Sequence, residues 1–392
     1  MKFNFRKKDY YICPYCFSKH DLNEVNFLCA NDPEVCSNAK NRIPIKPRID
    51  DNKNKMLDLV FCNECGKETN IKICPSCKSE LPNSIGEYDN LIFTVVGDRG
   101  AGKSHYIAVL INKLMNEISS NFNYSFSAAN DETISKYRRD FFNAIFRKGE
   151  TIDSTRSAKI EPCVKQPLIY NFTFKGNNII ESFVKSKLKN NAATIAFFDT
   201  SGEDLNSEEA MKTFDKYIYS SSGIIFLIDP LQMRSVRQKL SKDIEAVDED
   251  REIEDLLSRT VNLIRKGNGI KIDKPIDIPV AVALSKIDTI KPLIDQSKFI
   301  NYSGGRVNKG YFDLSDFEDI SETVEALLRS WGGENFVNQL NSNFKNHAYF
   351  ALTALGSSPC DNRISEITPH RVEDPFLWLL YKYKLINGGR RK

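Results

Sequence analysis

The stretch LIFTVVGDRGAGKS, residues 91–104, runs from apolar, β-branched residues into three glycines, a lysine and a serine in the order G-x-x-x-x-G-K-S. The apolar half predicts a buried strand ending at Gly97. Gly97, Gly100 and Gly102 then let the backbone fold tightly, turning successive N–H groups toward the positive end of the next helix, where an anion is stabilised. The predicted phosphate-binding set is therefore Gly97, Gly100, Ala101, Gly102, Lys103, Ser104 and His105. In this cradle Lys103 reaches the β- and γ-phosphates and the Ser104 hydroxyl holds Mg²⁺. The following helix shows itself in Ile107, Ile111, Leu114 and Ile118, an apolar stripe at helical spacing. The alternative is a glycine-rich strand-to-helix turn with no ligand; a chance match to this order is on the order of one in a hundred for a chain of this length.

Outward from this stretch, apolar runs recur at 91–96, 194–198, 223–228, 278–284 and 348–352, alternating with helical segments. That alternation predicts an α/β, doubly wound, mostly parallel sheet, in which ligands gather at the carboxyl ends of the strands. The chemistry is thus read at the endings. One run ends in Asp199-Thr200-Ser201-Gly202, where Asp199 reaches the Mg²⁺ shell and the Gly202 N–H approaches a γ-phosphate. Another ends in Ser285-Lys286-Ile287-Asp288, similar to the N/T/S-K-x-D motif that reads guanine. A single carboxylate there accepts from both the N1–H and the 2-amino group of the base, and adenine, lacking the N1 donor, leaves it unpaired. The stem of Lys286 packs along the base. The last run offers Thr353-Ala354-Leu355, which resembles the S-A-x loop of GTPases, whose backbone N–H contacts the base oxygen. Strand-end aspartates that merely cap loops or form salt bridges are the alternative for Asp199 and Asp288.

Taken in order, these four stretches resemble the G1, G3, G4 and G5 motifs of TRAFAC-class, Ras-like P-loop GTPases, over residues 91 to about 386. The resemblance implies a P-loop NTPase fold with helices on both faces of the sheet, GTP/GDP and Mg²⁺ as ligands, and GTP hydrolysis. Two positions depart from it. Glu203 stands where many members carry the glutamine that orients the attacking water, which predicts slow hydrolysis. Arg99 replaces a small loop residue, either as an arginine finger in cis or as a side chain in solvent. The switch threonine is sought in the loop 151–166; Thr155 is chosen over Thr151 as a Mg²⁺ ligand. A helical insert is expected near 130–150. The cysteine-rich start, GIIFLIDP at 223–230 and RVEDPFLWLLYKYKLI at 371–386 resemble, more narrowly, the double-GTPase proteins of bacterial conflict systems, implying a GTP-controlled partner in defence.

Eight of the ten cysteines lie before residue 80. Such clustering is a metal signature in a reducing compartment. Cys62-x-x-Cys65 with Cys74-x-x-Cys77 predicts one tetrahedral Zn²⁺ site, and Cys13-x-x-Cys16 with Cys29 and Cys36 a second, with His20 as a spare ligand. Pairing of Cys13/Cys16 with Cys62/Cys65 is left open by the spacing. Disulfides are the competing account. A segment with so little apolar content needs the metal to fold, so both zincs are expected to be structural. Cys163 and Cys360 read as ordinary buried or partly buried thiols. Residues 1–88 are thus read as a zinc-ribbon-like module and 89–392 as the GTPase domain.

The formal charge of +3, from 55 basic and 52 acidic residues, gives no global field for nucleic acid. No apolar stretch approaches the roughly 20 residues that cross a bilayer, and MKFNFRKKDYY lacks a signal-peptide core, so a cytosolic protein is expected. The leading function is a GTP-controlled switch whose zinc module docks a protein effector. A nucleotide-holding scaffold without turnover is the alternative that Glu203 keeps open. A P-loop ATPase working on nucleic acid is weakened by the SKID sequence and by the lack of a basic, aromatic stripe.

Overall fold

The β-branched and aromatic runs condense into one sheet because each buries apolar side chains on both faces. The computed structural model describes residues 10–47, 49–50, 55–56, 59–86, 88–152, 167–174, 192–198, 215–240, 253–299 and 310–390. Within them the main sheet has seven strands: β1 (Asp89–Gly97), β2 (Tyr124–Ala128), β3 (Leu168–Phe174), β4 (Ala192–Phe198), β5 (Gly223–Ile228), β6 (Val280–Leu284) and β7 (His347–Ala351). Their spatial order is β2-β3-β4-β1-β5-β6-β7. All neighbours from β4 to β7 are parallel, whereas β3 is antiparallel to both β4 and β2. All five apolar runs are strands of the parallel part. The chain grows to one side of β1 and then crosses to the other, so β1 marks the topological switch point where open α/β sheets bind ligands.

Helices cover both faces, as period-two alternation along the strands requires. Phe93, Val95, Ile225 and Leu227 face a core shared with α1 (Lys103–Lys113) and the last long helix, α6 (Asp374–Lys382). Val96, Ile224, Phe226 and Ile228 face the other core, built with α3 (Ile253–Asn268), α4 (Leu314–Ser330) and α5 (Glu334–Asn343). Trp378 closes the first core and Trp331 the second. Residues 131–148 are helical: α2 (Asp131–Tyr137) continues to Lys148 in wider, π-type turns. Asn130 caps α2 by accepting from the Thr133 N–H.

The cysteine-rich segment folds around short antiparallel pairs, 10–12 with 19–21, 26–28 with 71–73 and 60–61 with 68–69. Its small core of Tyr11, Val25, Phe27, Ile45 and Val60 includes five of the cysteines. It meets the main sheet where strands begin: Phe17 packs on Ile92 and Tyr217, and the Ile12 N–H donates to Asn90 Oδ1 at 3.3 Å. The Thr194 hydroxyl, early in β4, likewise donates to Ser84 Oγ at 2.7 Å. At about 3.3 Å per residue, the seven residues from Asn90 to Gly97 place this contact about 23 Å from the glycine-loop end of β1. No helix among the described residues is long and apolar enough to cross a membrane.

Candidate nucleotide site and metal centres

Because β4 to β7 run parallel, their carboxyl ends line up along one edge of the sheet, and the residues singled out by sequence collect there. β1 ends at Gly97, which must be glycine: a Cβ there would stand 2.7 Å from the Leu227 carbonyl oxygen of β5. The chain then turns through left-handed Gly100 (φ +81°) and Gly102 (φ +86°), the latter capping α1. Open space lies above both glycines, with nothing within 4 Å of where a Cβ would stand. Lys103 is buried, its Nζ donating to the carbonyls of Gly97 at 2.8 Å and Asp98 at 2.9 Å, so the loop is wrapped around its own cation. Ala101 is buried beneath, Ser104 is half-buried and Arg99 is exposed at the loop tip. Open space over Gly100 and Gly102, beside a buried ammonium and a helix N-terminus, suits a phosphate chain.

Two strands away, β6 ends in Ser285-Lys286-Ile287-Asp288. Ser285 extends the ladder by one step, donating its N–H to the Ile228 carbonyl at 2.8 Å. Lys286 then takes a left-handed backbone (φ +49°) that swings the chain outward. Asp288 Oδ1 accepts from the Thr353 hydroxyl at 2.5 Å, joining the aspartate of one motif to the threonine of the next. That hydroxyl is itself held by the Gly356 N–H at 2.9 Å, which makes the pair rigid. Ala354 and Leu355 follow on the same loop, Leu355 buried in the core. Adjacent strands being about 4.8 Å apart, the phosphate loop and Asp288 lie about 10 Å from each other along the sheet edge.

On this edge Asp229 was not foreseen, and His105, expected in the phosphate-binding set, makes a backbone contact. Asp229, buried at the end of β5, accepts from Lys286 Nζ at 2.7 Å and caps the Leu231 N–H at 2.9 Å. The signal was present in sequence as an aspartate ending an apolar run, GIIFLID. His105, in the first turn of α1, accepts at Nε2 from the Ile152 N–H at 3.3 Å. Its pKa is lowered to about 4, first by burial and then by the Lys286 charge. Thr151 beside it is held by backbone pairing to Asn362, its N–H donating at 2.9 Å. Asp199, Gly202, Glu203, Thr155 and Cys163 lie outside the described residues. Cys360, expected to be at least partly buried, is exposed, standing at the start of the tight turn it closes with Arg363.

The eight N-terminal cysteines form two groups of four, with all sulfurs in each within 4.8 Å of one another. The sulfur separations, 3.7 Å for Cys13–Cys77, 3.8 Å for Cys16–Cys74, 3.5 Å for Cys29–Cys65 and 3.8 Å for Cys36–Cys62, are far beyond a disulfide bond. They match the edge of a tetrahedron with ligands 2.3 Å from Zn²⁺, about 3.8 Å. Both groups therefore fit zinc. The grouping differs from the sequential one: Cys13/Cys16 join Cys74/Cys77, and Cys29/Cys36 join Cys62/Cys65, so the second site is nested inside the first. The cause is the antiparallel pairing of 26–28 with 71–73, which sets the strand entering Cys29 beside the strand entering Cys74. His20 stays outside, its Nε2 3.6 Å from Cys74 Sγ and 3.1 Å from Ser76 Oγ.

Each C-x-x-C is a knuckle of one design. In all three the residue after the second cysteine, Phe17, Gly66 or Lys78, is left-handed and donates its N–H back to the first cysteine's carbonyl, at 2.9–3.0 Å. The Cys29/Cys36 half is built differently. Glu64 reaches across to accept from the Asn38 N–H at 2.8 Å and the Ser37 hydroxyl at 2.6 Å, and Asn38 Nδ2 donates to Cys62 Sγ at 3.5 Å. Cys77 is drawn down to about 6, first by the hydrogen bond from Cys13, while Cys13 is pushed up, first by its bond to Cys16. Four thiols this close resist joint ionisation, and a bound dication removes that resistance.

No protein-family model matches the chain. It is similar to the putative ESX-1 scaffolding and assembly protein SaeC of Mycolicibacterium smegmatis, with 24% identity over 330 residues covering 79% of each protein. Among solved structures it is similar to the GTPase-like domain of S. cerevisiae Ski7 bound to GTP, at 14% identity and a TM-score of 0.33. That alignment covers 76% of this chain and spans about half the length of the Ski7 chain.

Proposed function

We propose that residues 89–392 form a Ras-like P-loop GTPase domain that binds GTP and GDP, and that residues 1–88 form a module stabilised by two structural Zn²⁺ ions. The observation that carries this reading is the Asp288–Thr353 hydrogen bond on the sheet edge that also holds the glycine-ringed loop. A carboxylate fixed by a neutral hydroxyl keeps its charge and its remaining lone pairs for two donors on a base, and guanine supplies two. In this proposal Lys103 and the loop around Gly97, Gly100, Ala101 and Gly102 hold the phosphates, and Mg²⁺ sits on Ser104 with Asp199 and Thr155. Labelled GTP, GDP and ATP test it: GTP and GDP bind in preference to ATP, Lys103→Ala loses both, and Asp288→Ala loses the preference. Equal affinity for ATP and GTP in the native chain rejects the guanine assignment.

The same proposal makes the protein a cytosolic, slowly hydrolysing switch acting on a protein partner, with the defence setting of the double-GTPase proteins as its context. Glu203 places a negative charge where the γ-phosphate departs, so Glu203→Gln is expected to speed single-turnover GTP cleavage; an unchanged or slower rate removes Glu203 from that position. A second reading, a scaffold that holds nucleotide without turning it over, draws support from the similarity to a protein named for scaffolding and assembly. Under that reading Glu203→Gln gives no hydrolysis, and partners bind the GTP- and GDP-loaded forms equally.

A further inference from the structure

Lys286 and Asp288 stand two residues apart on one turn, the cation expected to lie along a base and the anion expected to read it. Left to themselves, an ammonium and a carboxylate so close on a solvent-facing edge would pair, and guanine would have to displace the lysine. The structure routes the lysine elsewhere. Its Nζ lies 2.7 Å from Asp229 Oδ2, on the neighbouring strand end. Asp229 is 5% exposed and fixed through its other oxygen, Oδ1, which caps the Leu231 N–H. A buried carboxylate of this kind holds its counter-ion strongly, since releasing it leaves an uncompensated buried charge. Lys286 adopts its left-handed backbone at this very residue, the sort of local strain that persists where the surroundings demand it. Asp288, by contrast, enters no ion pair among the described residues; its partner is the neutral Thr353 hydroxyl.

We propose that Asp229 is a positioning residue for guanine selection: by clamping the Lys286 ammonium it keeps that cation off Asp288 and leaves the Asp288 carboxylate to the base. The inference rests on the guanine-site reading above and adds a residue outside the motifs that led to it. Asp229 touches no nucleotide; it acts through Lys286.

The test uses the full chain and displacement of a fluorescent methylanthraniloyl-GDP by GTP, ITP or ATP. Asp229→Asn keeps the side-chain volume and the oxygen that caps Leu231, but loses the charge that holds Lys286. The lysine then turns to Asp288, GTP and ITP affinities fall about tenfold, and ATP affinity, which does not use Asp288, stays put. Adding Lys286→Met to Asp229→Asn removes the competing cation, and the preference for GTP over ATP returns. Thermal melting of each variant reports whether the fold is kept. An unchanged GTP-to-ATP preference in Asp229→Asn overturns the inference, as does an equal loss of GTP and ATP binding that the second substitution fails to repair. Should the native chain show no preference for GTP, or Asp288→Ala leave that preference intact, the guanine reading itself falls and takes this inference with it.

Discussion

His105 shows how much one side chain on this edge is asked to do. It accepts the Ile152 N–H, so it must be neutral at that nitrogen, and burial together with the nearby Lys286 charge holds its pKa at about 4. With an unfolded value near 6.5, the unfolded chain binds the extra proton first as pH falls, so stability declines between about pH 6.5 and 4, by up to about 3 kcal/mol. Above pH 6.5 both states are neutral and the contribution is fully present. Urea denaturation across that window is expected to show the decline in the native chain and a flatter profile in His105→Gln; parallel profiles would detach His105 from the acid response. At this scale the sequence was legible wherever a residue belongs to a contiguous motif. Lys103, Gly102, Asp288 and Thr353 could be singled out as candidates because each sits in a contiguous motif at a strand end. Asp229 and the His105–Ile152 contact depend on residues 57 and 47 positions away, a relation that only strand order creates.

Among the elements, the five parallel strands were readable because buried parallel strands are continuous β-branched and apolar runs. β2, YSFSA, was not. Its alternating serines and five-residue length give a weak signal, and it becomes a strand by pairing along its own whole length with residues 170–174 of the antiparallel β3. The join between β1 and α1 carries a sharp prediction. In Gly97→Ala the new methyl meets the Leu227 carbonyl at 2.7 Å, and since backbone on the neighbouring strand cannot step aside, the β1–β5 pairing must spread. Overpacking of this sort costs about 1–3 kcal/mol, to be read as a lowered denaturation midpoint even without nucleotide. A midpoint equal to that of the native chain would mean the strands separate more easily than this packing implies.

For the whole molecule, the cysteine content announced two zinc sites, but the nesting could not be read from spacing, because it follows from the pairing of 26–28 with 71–73. The nesting couples the two sites. With the inner site of Cys29, Cys36, Cys62 and Cys65 closed, the loop the outer site must close between Cys16 and Cys74 shortens from about 58 residues to about 22, a saving of about 0.9 kcal/mol, or four- to fivefold in affinity. Because such coupling is reciprocal, metal analysis and zinc competition are expected to show that Cys36→Ser empties the inner site and weakens the outer one about four- to fivefold, and that Cys13→Ser empties the outer site and weakens the inner one by the same factor. A site whose affinity ignores loss of the other would contradict the nested order.

The concentric arrangement also imposes a schedule during synthesis. A nascent chain that has left the ribosome only as far as residue 60 displays four thiols belonging to two different centres and completing neither. The interior centre matures once Cys65 emerges, and the exterior one only after Cys77, a dozen residues later. The first strand of the sheet begins at Asp89, so all eight thiols precede it along the chain and both centres can close before it emerges. Phe17, carried on an exterior knuckle, packs on Ile92, so a knuckle closed by metal offers that strand a formed surface to dock on.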